Sequence, residues 1–312
     1  VRVEAACGTG AWALHLGCVA IASGLYDTVM VLGCEKMNDL ATVEGTSIIA
    51  QAADSKEEYF SGLTFPSGTA LTARKYMQTY GVSEEDLAHT SVKNHYYGAR
   101  NPSAHLRFEC TVEEVMKSAK VADPLKLYEV CPMTDAASAL VLCRPEILES
   151  QPNRPQVYVT ATSMGSGTWY QASDTLDDAY NLFARPVERA YEMAGVGPDD
   201  IDVAEIYNSF AIQEPLGIEG LGFAKRGEGW KGAADGSTWL DGKVAINPSG
   251  GLLCKGHPLG ATGATQAVDV VEQLRGTAPE GMLRPDAEIG ISACRGGPGS
   301  VGAIHIYQRI ED

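Results

Sequence analysis

Asn247-Pro-Ser-Gly-Gly-Leu-Leu-Cys-Lys-Gly-His-Pro-Leu-Gly-Ala-Thr-Gly263 lies near the C-terminal end of the chain and carries five glycines in seventeen positions. Residues 243–246 before it form a short apolar run that reads as a strand. Residues 264–274 after it place Ala267, Val268, Val271 and Leu274 on one face of a 3.6-residue repeat, the signature of a helix. The glycines let the backbone take positive φ and approach a ligand closely. His257 is pinned among them by Pro258, which fixes its own φ and restricts the residue before it. A helix starting just after such a loop turns its unpaired N–H groups and positive dipole end toward whatever His257 faces. That geometry stabilises negative charge growing on a carbonyl oxygen.

The surrounding chain of 312 residues is long for one core and fits two domains or two fused halves. With 45% hydrophobic and 21% charged residues it has the composition of a soluble globular protein. No apolar run reaches membrane-spanning length, and no signal peptide is visible. Eight cysteines (7, 18, 34, 110, 131, 143, 254, 294) show no CxxC spacing, so neither a zinc site nor a disulfide frame is expected, and a reducing cytoplasm is. A net charge of −16 argues against nucleic acid and requires locally placed donors for any anionic ligand.

Taken in order, residues 1–7 read as a short buried strand that delivers Cys7 to the turn Gly8-Thr-Gly10. Residues 11–23 form a helix that is apolar all round and therefore expected to be buried, closed by Gly24. Residues 28–32 read as a fully buried strand. Together these make a βαβ unit with a parallel sheet. Cys7, at the strand-to-helix turn, would feel the helix N-terminus, which favours the thiolate. Residues 39–123 are more polar, with helices at 67–80 and 83–97, the second capped by Ser83 ahead of acidic first-turn residues. His15, His89, His95, His105 and His305 read as surface or structural. Lys93, Arg100 and Arg107 read as a solvated face, with contact to a nucleotide phosphate as the alternative. Residues 135–143 return to the core as a turn and strand.

Residues 149–156, polar and with two prolines, read as the link between halves. The second half offers a strand at 157–162, a Gly/Ser loop to Thr168, a helix near 182–194 stopped by Gly195, and a strand at 201–206 ending on Tyr207-Asn-Ser-Phe210. A loop-rich stretch with Lys225, Arg226 and Lys231 gives local positive charge before the histidine loop. Strands at 287–294 and 301–307 flank Arg295-Gly-Gly-Pro-Gly299. Three strand ends thus carry Cys7, His257 and Cys294, and sites in open α/β sheets gather at such ends.

The order NxSGG…GHPxGATG, with the EAACGTGAWAL segment around Cys7 and the CxGG turn at Cys294, resembles the thiolase superfamily, most closely its SCP-x-like branch. TFPS, VKNHYYGARNPSAH and ADPLKLYEVCPMTDAASALVL run parallel to that branch. The resemblance covers nearly the whole chain. It implies an α/β fold of duplicated halves in α-β-α-β-α layers, residues 1–148 and 157–312, with a covering loop domain at about 39–123. In the family the first half begins with a further strand, helices and a strand, so the chain reads as N-terminally incomplete by about 60–90 residues at about thirty per unit. Val1–Ala6 is then expected in a sheet with one flank unpaired.

The same resemblance assigns roles. Cys7 would be the acyl-accepting nucleophile, His257 its activator, and Cys294 the proton exchanger. Ketoacyl synthases share the architecture but have histidine or asparagine in place of that second cysteine. Backbone N–H groups of Cys7 and Gly296 would form an oxyanion hole, with Tyr207 and Asn208 beside the substrate oxygen. There the chain reads YNSF, where thiolases have NEAF and SCP-x relatives HDCF. Ser249, Gly250, Lys225 and Arg226 would meet coenzyme A, a substrate and not a tightly bound cofactor. The implied activity is thiolysis of a 3-ketoacyl-CoA or the reverse condensation. A retro-aldolase on a CoA thioester and a noncatalytic acyl-CoA-binding subunit are the alternatives. A homodimer or homotetramer is implied, and a companion subunit with a zinc ribbon and OB fold is compatible.

Overall fold

The computed structural model describes residues 1–150, 155–167 and 176–310. Most of the link at 149–156 and the end of the loop at Thr168 therefore lie outside the described residues. The main sheet has five strands in the order Gln156–Ser166, Val301–Ile310, Ile289–Gly296, Val203–Ile206, Ala245–Ile246. The last three run parallel, and Val301–Ile310 lies antiparallel to both its neighbours. Val203–Ile206 is buried along its whole length, as a parallel strand covered on both faces must be.

One face of this sheet carries the helix Asp177–Ala194, ended by Gly195 at φ 69°, together with Gln213–Gly220. The other face carries Thr262–Leu274 and, beside it, Thr9–Ala22. These two central helices touch at glycine. A Cβ on Gly10 would lie 2.7 Å from the Ala264 nitrogen, and one on Gly263 would overlap the Ala11 backbone. Residues without a Cβ are needed at that crossing. Beyond the central helices lies a second sheet, Thr28–Glu35 antiparallel to Ala136–Cys143. Helix, sheet, helix and sheet make four successive layers of an α/β fold.

Several sequence expectations are corrected here. Residues 1–5 form no strand and pair with none among the described residues; Ala6–Gly8 is a 3₁₀ turn. Thr28–Glu35 takes its partner from residues more than a hundred positions away, so the first half holds an antiparallel pair and not a parallel βαβ unit. That strand is also buried on one face only: Met30 is 64% and Leu32 54% exposed, while Val31 and Gly33 are buried. Leu16 and Val19 of the helix expected to be wholly buried are likewise exposed. Apolar periodicity marks which residues suit an interior, but burial requires a covering layer, and none lies over this face among the described residues.

The polar segment folds as expected into Phe65–Tyr80 and Glu84–Arg100. Ser83 accepts from the Asp86 nitrogen at 3.1 Å and the Asp86 carboxylate accepts from the Ser83 nitrogen at 2.9 Å, a reciprocal cap. Its apolar side is not self-contained. Tyr76, Leu87 and Leu125 share a core with Tyr180, Phe210 and Leu216 of the second half, so this segment sits directly on the YNSF turn.

Candidate active site

Cys7 is placed by a strained turn. Ala6 holds φ at 49°, a conformation that costs a non-glycine residue roughly 1–3 kcal/mol unless its surroundings enforce it. The enforcement is visible. The Glu4 carboxylate accepts from the Ala6 nitrogen at 2.8 Å, and the Thr9 hydroxyl accepts from the Ala5 nitrogen at 2.9 Å and donates to the Ala6 carbonyl at 2.7 Å. The turn rests on Gly296, where any Cβ would overlap the Ala5 carbonyl. This contact carries the end of strand Ile289–Gly296 to the Cys7 turn. The Cys294 sulfur lies 3.5 Å from the Cys7 carbonyl oxygen.

His257 arrives from the opposite side. Its backbone nitrogen donates to the Pro132 carbonyl at 3.1 Å, and Gly256, at φ 100°, lies flush against Thr134. The Gly260 nitrogen donates to the Glu35 carboxylate at 3.1 Å, which ties the loop to the second sheet. Tyr207 leaves the strand Val203–Ile206 with its nitrogen bonded to the Ala293 carbonyl at 2.8 Å. Its hydroxyl reaches His257 Nε2 at 3.1 Å, the two rings perpendicular with centroids 5.3 Å apart. The guanidinium carbon of Arg295 lies 5.9 Å from the Tyr207 ring centroid.

Burial sets the charge state. Desolvation pushes the Cys7 thiol up, opposed in turn by the Tyr207 hydroxyl, the Gly297 N–H and the Arg295 charge. The sequence expectation of a thiol lowered by the helix end is thus reversed, because loss of water outweighs these donors. Cys294 is pushed up by burial and by neighbouring Cys7. Burial lowers His257 to about 3. At neutral pH the resting cluster is therefore two thiols and a neutral imidazole, with Arg295 as its cation.

The remaining expected site residues divide. Gly296 stands against the Cys7 turn. Asn208 lies in a buried network instead, donating to Glu214 at 2.9 Å and Asn94 at 3.0 Å and accepting from the Leu252 nitrogen at 2.7 Å. The Ser249 hydroxyl donates to Glu205 at 2.8 Å, and Gly250 packs on Gly98. Lys225 and Arg226 are exposed on their loop, Arg226 paired with Asp177 at 2.6 Å.

Lys93 is a correction. It is fully buried, 2.6 Å from Glu214 and 2.8 Å from the Ile246 carbonyl, so it neither faces solvent nor meets a phosphate. Sequence reasoning also passed over Arg295 and Cys131, which are electrostatically coupled to Cys7. The only local signal for Arg295 was a charged residue at a buried strand's end.

Residues 1–146 match the family model "Thiolase, N-terminal domain", and residues 165–309 match "Thiolase C-terminal domain-like". An acetyl-CoA acetyltransferase of Methanothermobacter thermautotrophicus is 43% identical over 309 residues, covering 99% of this chain and 79% of that protein. A benzoylsuccinyl-CoA thiolase subunit, BbsB, of Thauera aromatica is 33% identical, covering 95% of this chain and 76% of that one. Among solved structures an Ltp2–ChsH2(DUF35) aldolase superposes with a TM-score of 0.79 at 22% identity, over 98% of this chain and 78% of its own, a likeness of fold. With cysteine, histidine and cysteine brought to one place on this fold, and relatives of this identity along nearly its full length, the chain belongs to the thiolase family of enzymes.

Proposed function

We propose that this enzyme transfers acyl groups between a 3-oxoacyl chain and coenzyme A through a thioester on Cys7. The observation that carries the reading is the convergence of Cys7, Cys294 and the Tyr207–His257 pair on one buried spot. The Cys7 proton passes through the Tyr207 hydroxyl to neutral His257 as the sulfur attacks the C3 carbonyl. Oxygen charge is met by the Gly297 N–H and its neighbour Gly296. The C2–C3 bond then breaks, its electron pair goes to C2, and Cys294 supplies the proton that completes acetyl-CoA. Cys294 next takes the proton of incoming coenzyme A, whose sulfur displaces the acyl group from Cys7, and the Cys7 sulfur recovers its proton from His257 through Tyr207. Two easier half-reactions replace one hard one, and a thiol acid suits a thiol leaving group.

Coenzyme A is a substrate in this scheme. Its phosphates are assigned to exposed Lys225 and Arg226, and its pantetheine arm to the Ser249–Gly250 turn. A homo-oligomer and a companion subunit are part of the proposal; two of the similar proteins are titled as a subunit and as a two-protein aldolase. Incubation with labelled acetyl-CoA followed by peptide mass spectrometry tests the reading. Label on the Cys7 peptide, lost in Cys7→Ala, is expected. Turnover without that label would instead support carbon–carbon cleavage of the aldol type, and binding without turnover an acyl-CoA-holding role. Thiolysis rates across short, long and aromatic 3-oxoacyl-CoAs define the acyl chain.

A further inference from the structure

The acyl-transfer steps leave Arg295 unused. It follows Cys294 on the strand Ile289–Gly296, part-exposed, with its guanidinium beside Tyr207. Among the described residues its side chain donates from Nη2 to the Pro298 carbonyl at 3.0 Å. The titratable groups nearest to it are Tyr207, Cys7 and Cys294, and no described carboxylate pairs with it. A guanidinium presents five N–H donors in a planar fork, so most of its capacity is open among the described residues. Gly299, at φ 118°, lies next to it; a Cβ there would come 3.1 Å from Nη2. Part-exposed, Arg295 keeps some water, and the Pro298 carbonyl is its protein acceptor among the described residues; a guanidinium with open donors is suited to binding an anion.

An anion fits the donors left open among the described residues. Neither cysteine supplies it at rest, because burial holds both as thiols. Coenzyme A does not supply it either. When its thioester meets Cys7 its phosphates lie at the far end of the pantetheine arm, and the end at the cluster is uncharged. Among the groups of the substrate, an anion at Arg295 is then one carried by the acyl part. Resting on the thiolase reading above, we infer that Arg295 binds a carboxylate carried by the acyl chain, so that the preferred substrates are 3-oxoacyl-CoAs whose acyl part is itself an acid. Planar, paired N–H donors match a carboxylate's two oxygens. A guanidinium kept only to favour the Cys7 thiolate would act equally on acidic and neutral chains.

The test compares kcat/KM for thiolysis of 3-oxoadipyl-CoA with 3-oxohexanoyl-CoA, and of 3-oxopimelyl-CoA with 3-oxoheptanoyl-CoA, pairs equal in length that differ by a terminal carboxylate. The wild-type enzyme is expected to prefer the acid of at least one pair by about 30-fold, the scale of one charge-assisted pair. Arg295→Gln should collapse that ratio chiefly through KM, and Arg295→Lys should retain part of it. A wild-type preference for the neutral member of both pairs overturns the inference, as does an unchanged ratio in Arg295→Gln. Equal slowing of acid and neutral substrates in that variant also overturns it, since that marks thiolate stabilisation. If Arg295→Gln does not fold, the wild-type ratio and the lysine variant decide. Acetyl label on Cys7 without acid preference defeats this inference and leaves the acyl-transfer reading standing; turnover without that label defeats both.

Discussion

The Tyr207 hydroxyl lies 3.1 Å from Nε2 of His257 and also acts on the Cys7 thiol, partly offsetting the burial that raises it. The tyrosine is therefore interposed between thiol and imidazole. A phenol reaches farther from the backbone than the asparagine of NEAF, and the perpendicular ring packing with His257 fixes where its oxygen sits. On the proposed mechanism His257 acts on Cys7 through that intervening O–H.

Tyr207→Phe removes that O–H while keeping the ring. Acylation of Cys7 by acetyl-CoA should slow by about 10²-fold or more, the usual contribution of a positioned proton-transfer group. Tyr207→Asn should recover part of the rate and shift the acyl-chain preference. Rapid-quench measurement of the labelled enzyme reads both. Unchanged acylation in both variants would remove Tyr207 from the proton path.

Cys294→Ser keeps the shape of the side chain but raises the pKa of the group proposed to exchange the proton. Carbon–carbon cleavage should fall by at least 10²-fold, while acylation of Cys7 from a simple acyl-CoA falls far less. Equal slowing of the two half-reactions would count against a proton-transfer role for this residue.

Beneath the site Lys93 and Glu214 form a fully buried pair 2.6 Å apart. Glu214 also accepts from Asn94, Asn208 and Asn247 at 2.7–2.9 Å. Lys93→Met leaves that carboxylate without its cation and should destabilise the fold by about 3–5 kcal/mol, whereas Lys93→Met with Glu214→Leu should cost less than the sum of the single changes. Urea unfolding of the three variants measures the coupling. Additive losses would show that the pair is not coupled.

His305 is buried, and burial lowers it from 6.5 to about 3. Between those values the unfolded chain binds the proton and the folded one does not, so stability rises with pH across that window and is flat above it. Near pH 5 this residue alone should contribute a slope of about 1.4 kcal/mol per pH unit. Comparison of His305→Asn with wild type at pH 7 and pH 5 isolates it: the variant should lose less stability on acidification. An equal loss would mean that the imidazole is protonated in the folded state.

The chain's local chemistry was legible without coordinates. Ser83 and Asp86 announced a cap that formed, and Gly195 a helix end that adopts φ 69°. The glycines around His257 marked a loop of close backbone approach, and Gly263 indeed leaves no room for a Cβ. Each depends on residues a few positions apart, whose spacing dictates their conformation. Tertiary structure decided the partners. It paired Thr28–Glu35 with Ala136–Cys143, buried Lys93 against a glutamate 121 positions on, set Tyr207 between Cys7 and His257, and left Met30 and Leu32 exposed. Periodicity specifies which face of an element is apolar or polar. What lies against that face is settled by contacts between residues far apart in the chain, and burial, which raises Cys7 and lowers His257, follows from those contacts alone.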